Sequence, residues 1–352
     1  MITGPAAGTL TVGTRTYTLT GTGFNSPLST PILSFDTPTI ASNEQHTLTI
    51  RLPQPSPVAA SGLVNLAFTP TVAAVTTVSS AHTEFLGSLD SIQEEKSALV
   101  RAIPADGAVV LNADDPRVLA MRASSRARVW TYSARGAADI RSAGAVDEGP
   151  DGVAFVLETP HGRQPVRLRF AGRHNVTNAL AAAGIGVALG LRVEEIARGL
   201  EKARPAKGRC VWRRAGALSI LDDTYNANPV SVRAALETLA ASAGERRRVV
   251  VLGDMLELGP ITDAVHREMG AAVAASGAAE FIGLGRACRL AVEAAREAGL
   301  AESHHAATFE DTVALLLKRL VPGDAVLVKG SRGMRMERVV DALLARFGGE
   351  DA

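Results

Sequence analysis

The chain has 352 residues, enough for two or three domains, and it is 46% hydrophobic and 21% charged, as in globular proteins. A net charge of +1 gives no electrostatic argument for binding nucleic acid or an anionic membrane. Two cysteines exclude a disulfide framework, and no apolar run reaches the about 18 residues that a membrane helix needs. We also see no basic segment followed by an apolar one at the N-terminus, and we expect a cytoplasmic monomer.

The first 71 residues are rich in Thr, Ser, Pro and Gly. Runs in which apolar and polar residues alternate predict strands at 9–12, 16–20, 46–50 and 63–68. We therefore predict a small antiparallel sheet in a β-rich segment, residues 1–71. This segment resembles the immunoglobulin-like repeats of bacterial surface proteins only in its general composition and strand pattern.

From Val72 onward, apolar runs alternate with alanine-rich amphipathic stretches. Strands are predicted at 72–78, 108–111, 153–156, 217–221, 248–252, 281–284 and 325–328. Helices are predicted at 175–189, 193–202, 229–242, 261–276, 286–298, 308–319 and 333–346, and residues 94–97 also follow a helical pattern. Alternating strands and helices predict an α/β fold with mostly parallel sheets covered by helices on both faces.

The stretch Asp-Asp-Thr-Tyr-Asn-Ala-Asn-Pro, residues 222–229, directly follows the apolar run 217–221. Asn228 is a good N-cap and Pro229 suits the first position of the next helix. Polar groups at the carboxyl end of a strand, beside a helix N-terminus, are where α/β proteins bind ligands. Asp223, Tyr225 and Asn226 are therefore candidate ligand-binding residues, although a turn with ordinary capping would also produce this pattern.

Five further candidate residues lie between positions 82 and 209. His82 follows a β-rich run and could bind a metal or phosphate, or be structural. Lys96, in a helical pattern, would on its own be a solvated lysine. The motif His-Asn-Val-Thr-Asn-Ala begins at residue 174, where Asn175 and Asn178 could cap a helix or bind a base. Arg209 follows Gly208, and a guanidinium is a good phosphate ligand.

Two more polar stretches follow predicted strands near the end of the chain. Gly-Asp-Met-Leu-Glu-Leu-Gly, residues 253–259, contains Asp254 and is followed by His266. Lys-Gly-Ser-Arg, residues 329–332, supplies Lys329, Ser331 and Arg332. Each of these residues could contact a ligand or serve only the loop.

Together these motifs resemble the Mur ligase family over residues 72–347, and most closely the MurF type. The resemblance implies the second half of a central ATPase domain at 72–207 and a Rossmann-like C-terminal domain at 208–352. It implies an ATP-dependent ligase of peptidoglycan precursor synthesis that joins D-alanyl-D-alanine to UDP-N-acetylmuramoyl-tripeptide through an acyl phosphate. Another Mur-type ligase, such as a relative of folylpolyglutamate synthetase, fits the motifs less well.

The resemblance also implies a role for each candidate. His82 and a carbamylated Lys96 would serve Mg2+, and these two residues with Arg209 would be catalytic. ATP-binding residues would be Asn175, Asn178, Arg209, Asp223, Tyr225 and Asn226. Residues facing the peptide substrates would be Asn228, Asp254, Lys329, Ser331 and Arg332.

The sequence departs from the family in three respects: we find no phosphate-binding loop, no central-domain segment that supplies an acidic magnesium ligand, and no domain that binds the UDP-sugar. Its lysines, at positions 96, 202, 207, 318 and 329, never stand between Gly and Ser or Thr, so the phosphate-binding loop is not present. We expect the chain to be inactive alone, and we expect the half domain to leave an exposed apolar sheet edge. The alternatives are a non-enzymatic surface or adhesion fusion, or a chimeric gene product that carries a ligase remnant.

Overall fold

The computed structural model describes residues 7–12, 15–20, 48–51, 71–78, 88–149 and 152–350. The chain divides into two compact units, residues 1–69 and 70–352. The described part of the first unit is a three-stranded antiparallel sheet in the order β2-β1-β3, with strands Ala7–Val12 (β1), Arg15–Thr20 (β2) and Leu48–Arg51 (β3). The strand predicted at 63–68 lies outside the described residues, and the immunoglobulin-like resemblance stays a prediction.

The second unit contains two sheets, and the first has six strands in sequential order. Its strands are Val72–Val75 (β4), Ala108–Asn112 (β5), Arg128–Ser133 (β6), Ile140–Gly149 (β7), Gly152–Thr159 (β8) and Gly162–Leu168 (β9). Strands β4 to β7 pair in parallel, whereas β7, β8 and β9 form antiparallel hairpins.

Helices cover both faces of this six-stranded sheet. They are Leu89–Ala102 (α1), Pro116–Ala120 (α2), His174–Ala188 (α3) and Val193–Lys202 (α4). Alternate residues of β5 face opposite sides, so Val109 and Leu111 pack with α1 and α2 while Ala108 and Val110 pack with α3. Within the described residues, the outer strand β4 pairs only with β5, and its Ala73 side chain is nevertheless buried.

The second sheet has seven strands in the order β14-β13-β12-β15-β11-β10-β16. Its strands are Val211–Ala215 (β10), Leu218–Asp223 (β11), Arg248–Gly253 (β12), Glu280–Leu284 (β13), Ser303–Ala306 (β14), Ala325–Lys329 (β15) and Gly349–Glu350 (β16). Its helices are Pro229–Ser242 (α5), Thr262–Ala275 (α6), Cys288–Glu297 (α7), Phe309–Arg319 (α8) and Glu337–Phe347 (α9). Helices α5, α6 and α7 share one core, and α8 and α9 pack in another with alternate strand residues.

The predicted α/β class is confirmed, and most elements lie within a few residues of their predicted bounds. Helix α5 has its predicted bounds because Asn228 and Ser231 form a reciprocal cap, with Asn228 Oδ1 accepting from the Ser231 amide at 2.8 Å. Helix α9 begins at Glu337, later than expected, because Arg335 has a left-handed φ of 50° that a helix cannot propagate. Among the helices of the described ranges, none is long and apolar enough to cross a membrane.

A buried charge cluster lies at the amino-terminal ends of the central strands of the seven-stranded sheet. Glu280, whose side chain is 1% exposed, forms ion pairs with Arg247 and Arg319. Arg247 also donates to buried Asp324 at 2.8 Å, and Arg319 pairs with Glu302. These pairs lie at the sheet end opposite the candidate site, so we assign them to stability rather than to ligand binding.

Candidate active site

A crevice is expected above the carboxyl end of β15, at the centre of the seven-stranded sheet. Strands β11 and β12 flank β15, and Lys329 lies in register with Asp223 on one side and Leu252 on the other. The helices that follow β11 and β12 pack on one face, whereas the helix that follows β15 packs on the other. Such a change of direction opens the space in which α/β sheets bind ligands.

A buried ion pair lies at the base of this crevice. Lys329 Nζ donates to Asp223 Oδ2 at 2.6 Å and to the Asn226 carbonyl oxygen at 2.8 Å, and Lys329 is 1% exposed. The second Asp223 oxygen accepts from the Cys210 amide at 3.1 Å. The structure therefore brings together Lys329, Asp223 and Asn226, which the sequence analysis had placed in two groups, and the ammonium holds the loop that follows β11.

Ser331 and Asp254 join the loops after β15 and β12. The Ser331 amide donates to the Asp254 carbonyl oxygen at 3.1 Å, and Ser331 Oγ accepts from the Leu256 amide at 2.9 Å. The Asp254 carboxylate accepts from the Cys288 amide at 2.8 Å and the Ala287 amide at 3.3 Å. The Asp254 carboxylate therefore binds the N-terminus of α7 in this conformation, and the buried Ser331 hydroxyl orders the loop.

Four predicted site residues are exposed around the crevice. The Arg209 guanidinium lies 4.0 Å from the centroid of the Tyr225 ring, which is 46% exposed. Exposed Asn226 accepts through Oδ1 from the Arg332 amide at 3.4 Å, and the Arg332 guanidinium is 3.1 Å from Glu337. Because these side chains remain open to solvent, they can reach an anionic ligand. Asn228, in contrast, uses its side chain for the α5 cap.

Asp254, His266 and Cys288 are close enough to suggest a metal site, with potential ligand atoms within 4.8 Å of one another. His266, however, accepts from the Met255 amide through Nε2 at 3.0 Å and contacts the Thr262 carbonyl through Nδ1 at 2.7 Å. Since both ring nitrogens have backbone partners, the imidazole has no lone pair for a cation. Burial also raises the pKa of the Cys288 thiol, which disfavours the thiolate that a metal needs. The cluster is structural.

The start of α3 lies where the two sheets of the second unit meet. Gly172 has φ of 96°, and a Cβ there would lie 2.4 Å from Thr238 Oγ1 on α5 and 2.5 Å from His174 Cε1. Asn175 Nδ2 donates to the Ala171 carbonyl oxygen at 2.7 Å, and Asn178 Nδ2 donates to Asn175 Oδ1 at 3.1 Å. The predicted asparagine pair is thus hydrogen-bonded together, with Asn178 exposed to solvent.

The predicted magnesium pair is only half described. His82 lies outside the described residues, and Lys96 is an exposed residue on α1, which packs on the face of the six-stranded sheet opposite to α3. An exposed amine is accessible to carbon dioxide, so the position of Lys96 is compatible with carbamylation.

Two carboxylates that follow β5, Asp114 and Asp115, were not among the predicted site residues. Asp115 accepts from the Val78 amide through Oδ2 at 2.8 Å, and its Oδ1 caps α2. Asp114 accepts from the Ser133 hydroxyl at 2.6 Å and the Ala134 amide at 2.8 Å. Asp115 therefore holds the residues that follow β4, whereas Asp114 holds the end of β6. The signal that could have revealed them is Asn-Ala-Asp-Asp-Pro, residues 112–116, directly after an apolar strand.

Comparison with known families decides the assignment. Residues 56–186 match the Mur ligase middle domain, and residues 208–332 match the glutamate ligase domain of Mur ligases. The chain carries two Mur ligase domains. The first match begins before the compact unit does, within the segment predicted to be β-rich.

Two curated relatives to which the chain is similar are both named UDP-N-acetylmuramoyl-tripeptide--D-alanyl-D-alanine ligase. The Escherichia coli protein is 36% identical over 281 residues, and the Mycobacterium tuberculosis protein is 35% identical over 297 residues. Both alignments cover 78% of this chain. The chain spans 60% and 58% of those relatives' own lengths, respectively.

Solved structures show the same fold. MurF from Acinetobacter baumannii has a TM-score of 0.71 and 30% identity, with 79% of this chain and 60% of that chain covered. MurF ligase from Thermotoga maritima, solved in complex with ADP, has a TM-score of 0.69 and 23% identity, covering 79% of this chain and 62% of that chain. The second likeness concerns the fold alone.

Proposed function

We propose that this chain carries the parts of a MurF-type ligase that close over the nucleotide and that face the incoming amine. A MurF-type ligase joins D-alanyl-D-alanine to UDP-N-acetylmuramoyl-tripeptide. The observation that carries the proposal is the convergence of Asp223, Lys329 and Ser331 at the carboxyl ends of two neighbouring strands, β11 and β15, beside exposed Arg209 and Arg332. The names of the relatives support the choice of substrates. We further propose that the protein is a cytoplasmic monomer. One ligase domain would span residues 72–207 and the other would span residues 208–352.

In this reaction, ATP phosphorylates the terminal carboxylate of the tripeptide, and the amine of D-alanyl-D-alanine then attacks the acyl phosphate and displaces phosphate. Such chemistry depends on positioning and on neutralisation of phosphate charge. Mg2+ would supply part of that neutralisation when held by His82 and by carbamylated Lys96, whose carbamate oxygens are the hard ligands that magnesium prefers.

Three of the remaining residues would contact ligands directly. Asn178 would bind adenine, since its amide can donate and accept at once. The Arg209 guanidinium would move away from the Tyr225 ring and donate hydrogen bonds to phosphate oxygens. Removing Arg209 would lose these charge-assisted hydrogen bonds. Arg332 would bind the carboxylate of D-alanyl-D-alanine. The Asp223–Lys329 pair positions the loop bearing Tyr225 rather than touching substrate, because the ammonium already has two protein partners.

The remaining assignments follow the geometry of the loops. Asn175 would orient Asn178 at the adenine site, and Asn226 would orient the backbone of Arg332. Asn228, Asp254 and Ser331 would shape the wall that faces the dipeptide, since their side chains already bind the protein. Because no lysine of the chain stands between Gly and Ser or Thr, we propose that the 352-residue polypeptide by itself does not turn over ATP.

The proposal is tested by titrating ADP with magnesium into the 352-residue chain, followed by calorimetry and by 15N NMR. We expect saturable binding that Asn178→Ala and Arg209→Ala weaken, while Gln164→Ala on β9 leaves it unchanged. A parallel assay of phosphate release with ATP and both peptide substrates should stay at background. Absence of ADP binding at millimolar concentration would overturn the nucleotide assignment, and turnover above background would overturn the predicted inactivity.

A further inference from the structure

The orientation of the Asn175 side-chain amide is fixed by the backbone. Asn175 Nδ2 lies 2.7 Å from the Ala171 carbonyl oxygen, and a carbonyl oxygen only accepts. The nitrogen of the amide must therefore face Ala171, and Asn175 Oδ1 must point the other way, where the Asn178 Nδ2 donates to it at 3.1 Å. The two side chains form a hydrogen-bond chain that runs in one direction.

His174 lies at the start of this chain. Its Nε2 is 3.2 Å from the same Asn175 Nδ2, which has one further N–H to donate. Because both atoms cannot donate, Nε2 must be an unprotonated acceptor, and a neutral ring then carries its proton on Nδ1. The imidazole thus reinforces the amide orientation that Asn178 requires.

We propose that His174 is a positioning residue whose neutral imidazole sets the Asn175–Asn178 hydrogen-bond chain, and that protonation of Nε2 disrupts this chain and weakens adenine binding. A protonated Nε2 would point a hydrogen at Asn175 Nδ2, so the amide must rotate or the ring must move. Rotation of the amide withdraws the acceptor that orients Asn178, and movement of the ring removes the contact that holds the amide in place. The consequence for adenine rests on the proposed function, whereas the hydrogen-bond chain itself does not.

Charged groups on three elements act on the imidazole. Asp223 on β11 and Glu237 on α5 favour its protonation, and Lys329 on β15 opposes it. Burial has the largest effect and lowers the pKa of His174. The neutral ring therefore prevails at pH 7, and the protonated ring accumulates only as the pH falls below the ordinary histidine range of about 6.5.

The lowered pKa of His174 also determines how the stability of the folded chain changes with pH. Since the pKa of His174 is lower in the folded chain than in the unfolded chain, the unfolded chain binds more protons below about pH 6.5. Its contribution to stability is present above that pH and falls as the pH drops towards the folded pKa. Low pH should therefore destabilise the folded chain around His174 as well as the asparagine chain.

The first measurement is 15N NMR of the imidazole and side-chain amide groups of the full 352-residue chain. We expect His174 to show the Nδ1–H tautomer at pH 7.5, and we expect the Asn175 and Asn178 amide resonances to shift as His174 titrates. The proposal would be overturned by a proton on His174 Nε2 at pH 7.5, or by asparagine resonances that do not shift as His174 titrates. This result does not depend on nucleotide binding.

The second measurement is ADP affinity at pH 7.5 and pH 5.5 for the wild type, His174→Gln, His174→Leu and the control His161→Gln on the exposed β8–β9 turn. ADP itself titrates in this range, so affinities are compared between variants at each pH. His174→Gln offers an acceptor that cannot be protonated. It should match the wild type at pH 7.5 and bind tighter than the wild type at pH 5.5, by up to about fivefold, which is the effect of one hydrogen bond when the wild-type ring is protonated. His174→Leu should be about fivefold weaker than the wild type at pH 7.5.

The two measurements separate the possible failures. If ADP does not bind at any pH while the NMR titration behaves as expected, the adenine assignment fails and the hydrogen-bond chain stands. If ADP binds but His174→Gln keeps the pH dependence of the wild type, the positioning role of His174 is wrong. His161→Gln should behave as the wild type at both pH values.

Discussion

Replacing Lys329 with methionine tests whether the buried ion pair stabilises the crevice. The Lys329 side chain is 2% exposed and that of Asp223 is 14% exposed, so solvent cannot replace the lost ammonium. The variant leaves Asp223 Oδ2 without its cation and the Asn226 carbonyl oxygen without its donor. Removing one partner of a buried pair costs roughly 3 to 5 kcal/mol, and we expect the lower end because Asp223 is slightly exposed.

Urea unfolding monitored by tryptophan fluorescence measures this loss. Trp212 pairs with Leu221 in the strand next to the site, whereas Trp130 lies in the six-stranded sheet. Trp212→Phe and Trp130→Phe backgrounds therefore report each sheet separately, which matters because a chain with two sheets need not unfold in one step. The loss should appear in the Trp212 signal.

Lys318→Met is the matched control, since Lys318 is an exposed residue of α8 and its replacement should change stability by less than about 0.5 kcal/mol. Asp223→Asn combined with Lys329→Met should recover part of the lost stability, because the double variant has no unpaired carboxylate. If Lys329→Met is no less stable than Lys318→Met, or if the two changes at the pair are simply additive, the ion pair does not hold the crevice together.

Three further predictions concern backbone conformation, buried charge and thiol reactivity. Gly172→Ala should lower the free energy of unfolding by at least about 1 kcal/mol more than Gly299→Ala. The two glycines have φ of 96° and 97°, but only Gly172 has atoms within 4 Å of a new Cβ. Equal losses measured in urea would show that this contact is unimportant. Glu280→Gln should destabilise the chain by about 3 kcal/mol in the same assay, since the buried carboxylate pairs with two arginines; a loss below 1 kcal/mol would contradict this. Burial raises the pKa of both thiols, Cys210 and Cys288. Neither thiol should therefore react with a disulfide reagent at pH 8 until urea is added. Rapid labelling of the folded chain would refute their burial.

Much of the site's location follows from the sequence. Apolar runs that end in Asp223, Asp254 and Lys329 predict parallel strands with polar carboxyl ends, and parallel strands meet at one sheet edge. The cap at Asn228 was also predictable, because the residue types that bond a helix N-terminus are few and local. Strands such as β7 were not predicted, since Asp147 and other polar residues interrupt the alternation and pairing with neighbouring strands decides their conformation.

The sequence by itself determined the α/β class, the order of the elements and the residues that stand at strand ends. The tertiary structure decided which of those residues meet: β15 is inserted between β11 and β12, and this places Lys329 against Asp223, 106 positions away. It also placed His174, at the start of helix α3 on the six-stranded sheet, within reach of charges on the seven-stranded sheet and its helix α5. Local periodicity reports which face of an element is apolar, but strand order depends on how whole elements share a core, and only the assembled sheets fix the partners of buried polar groups.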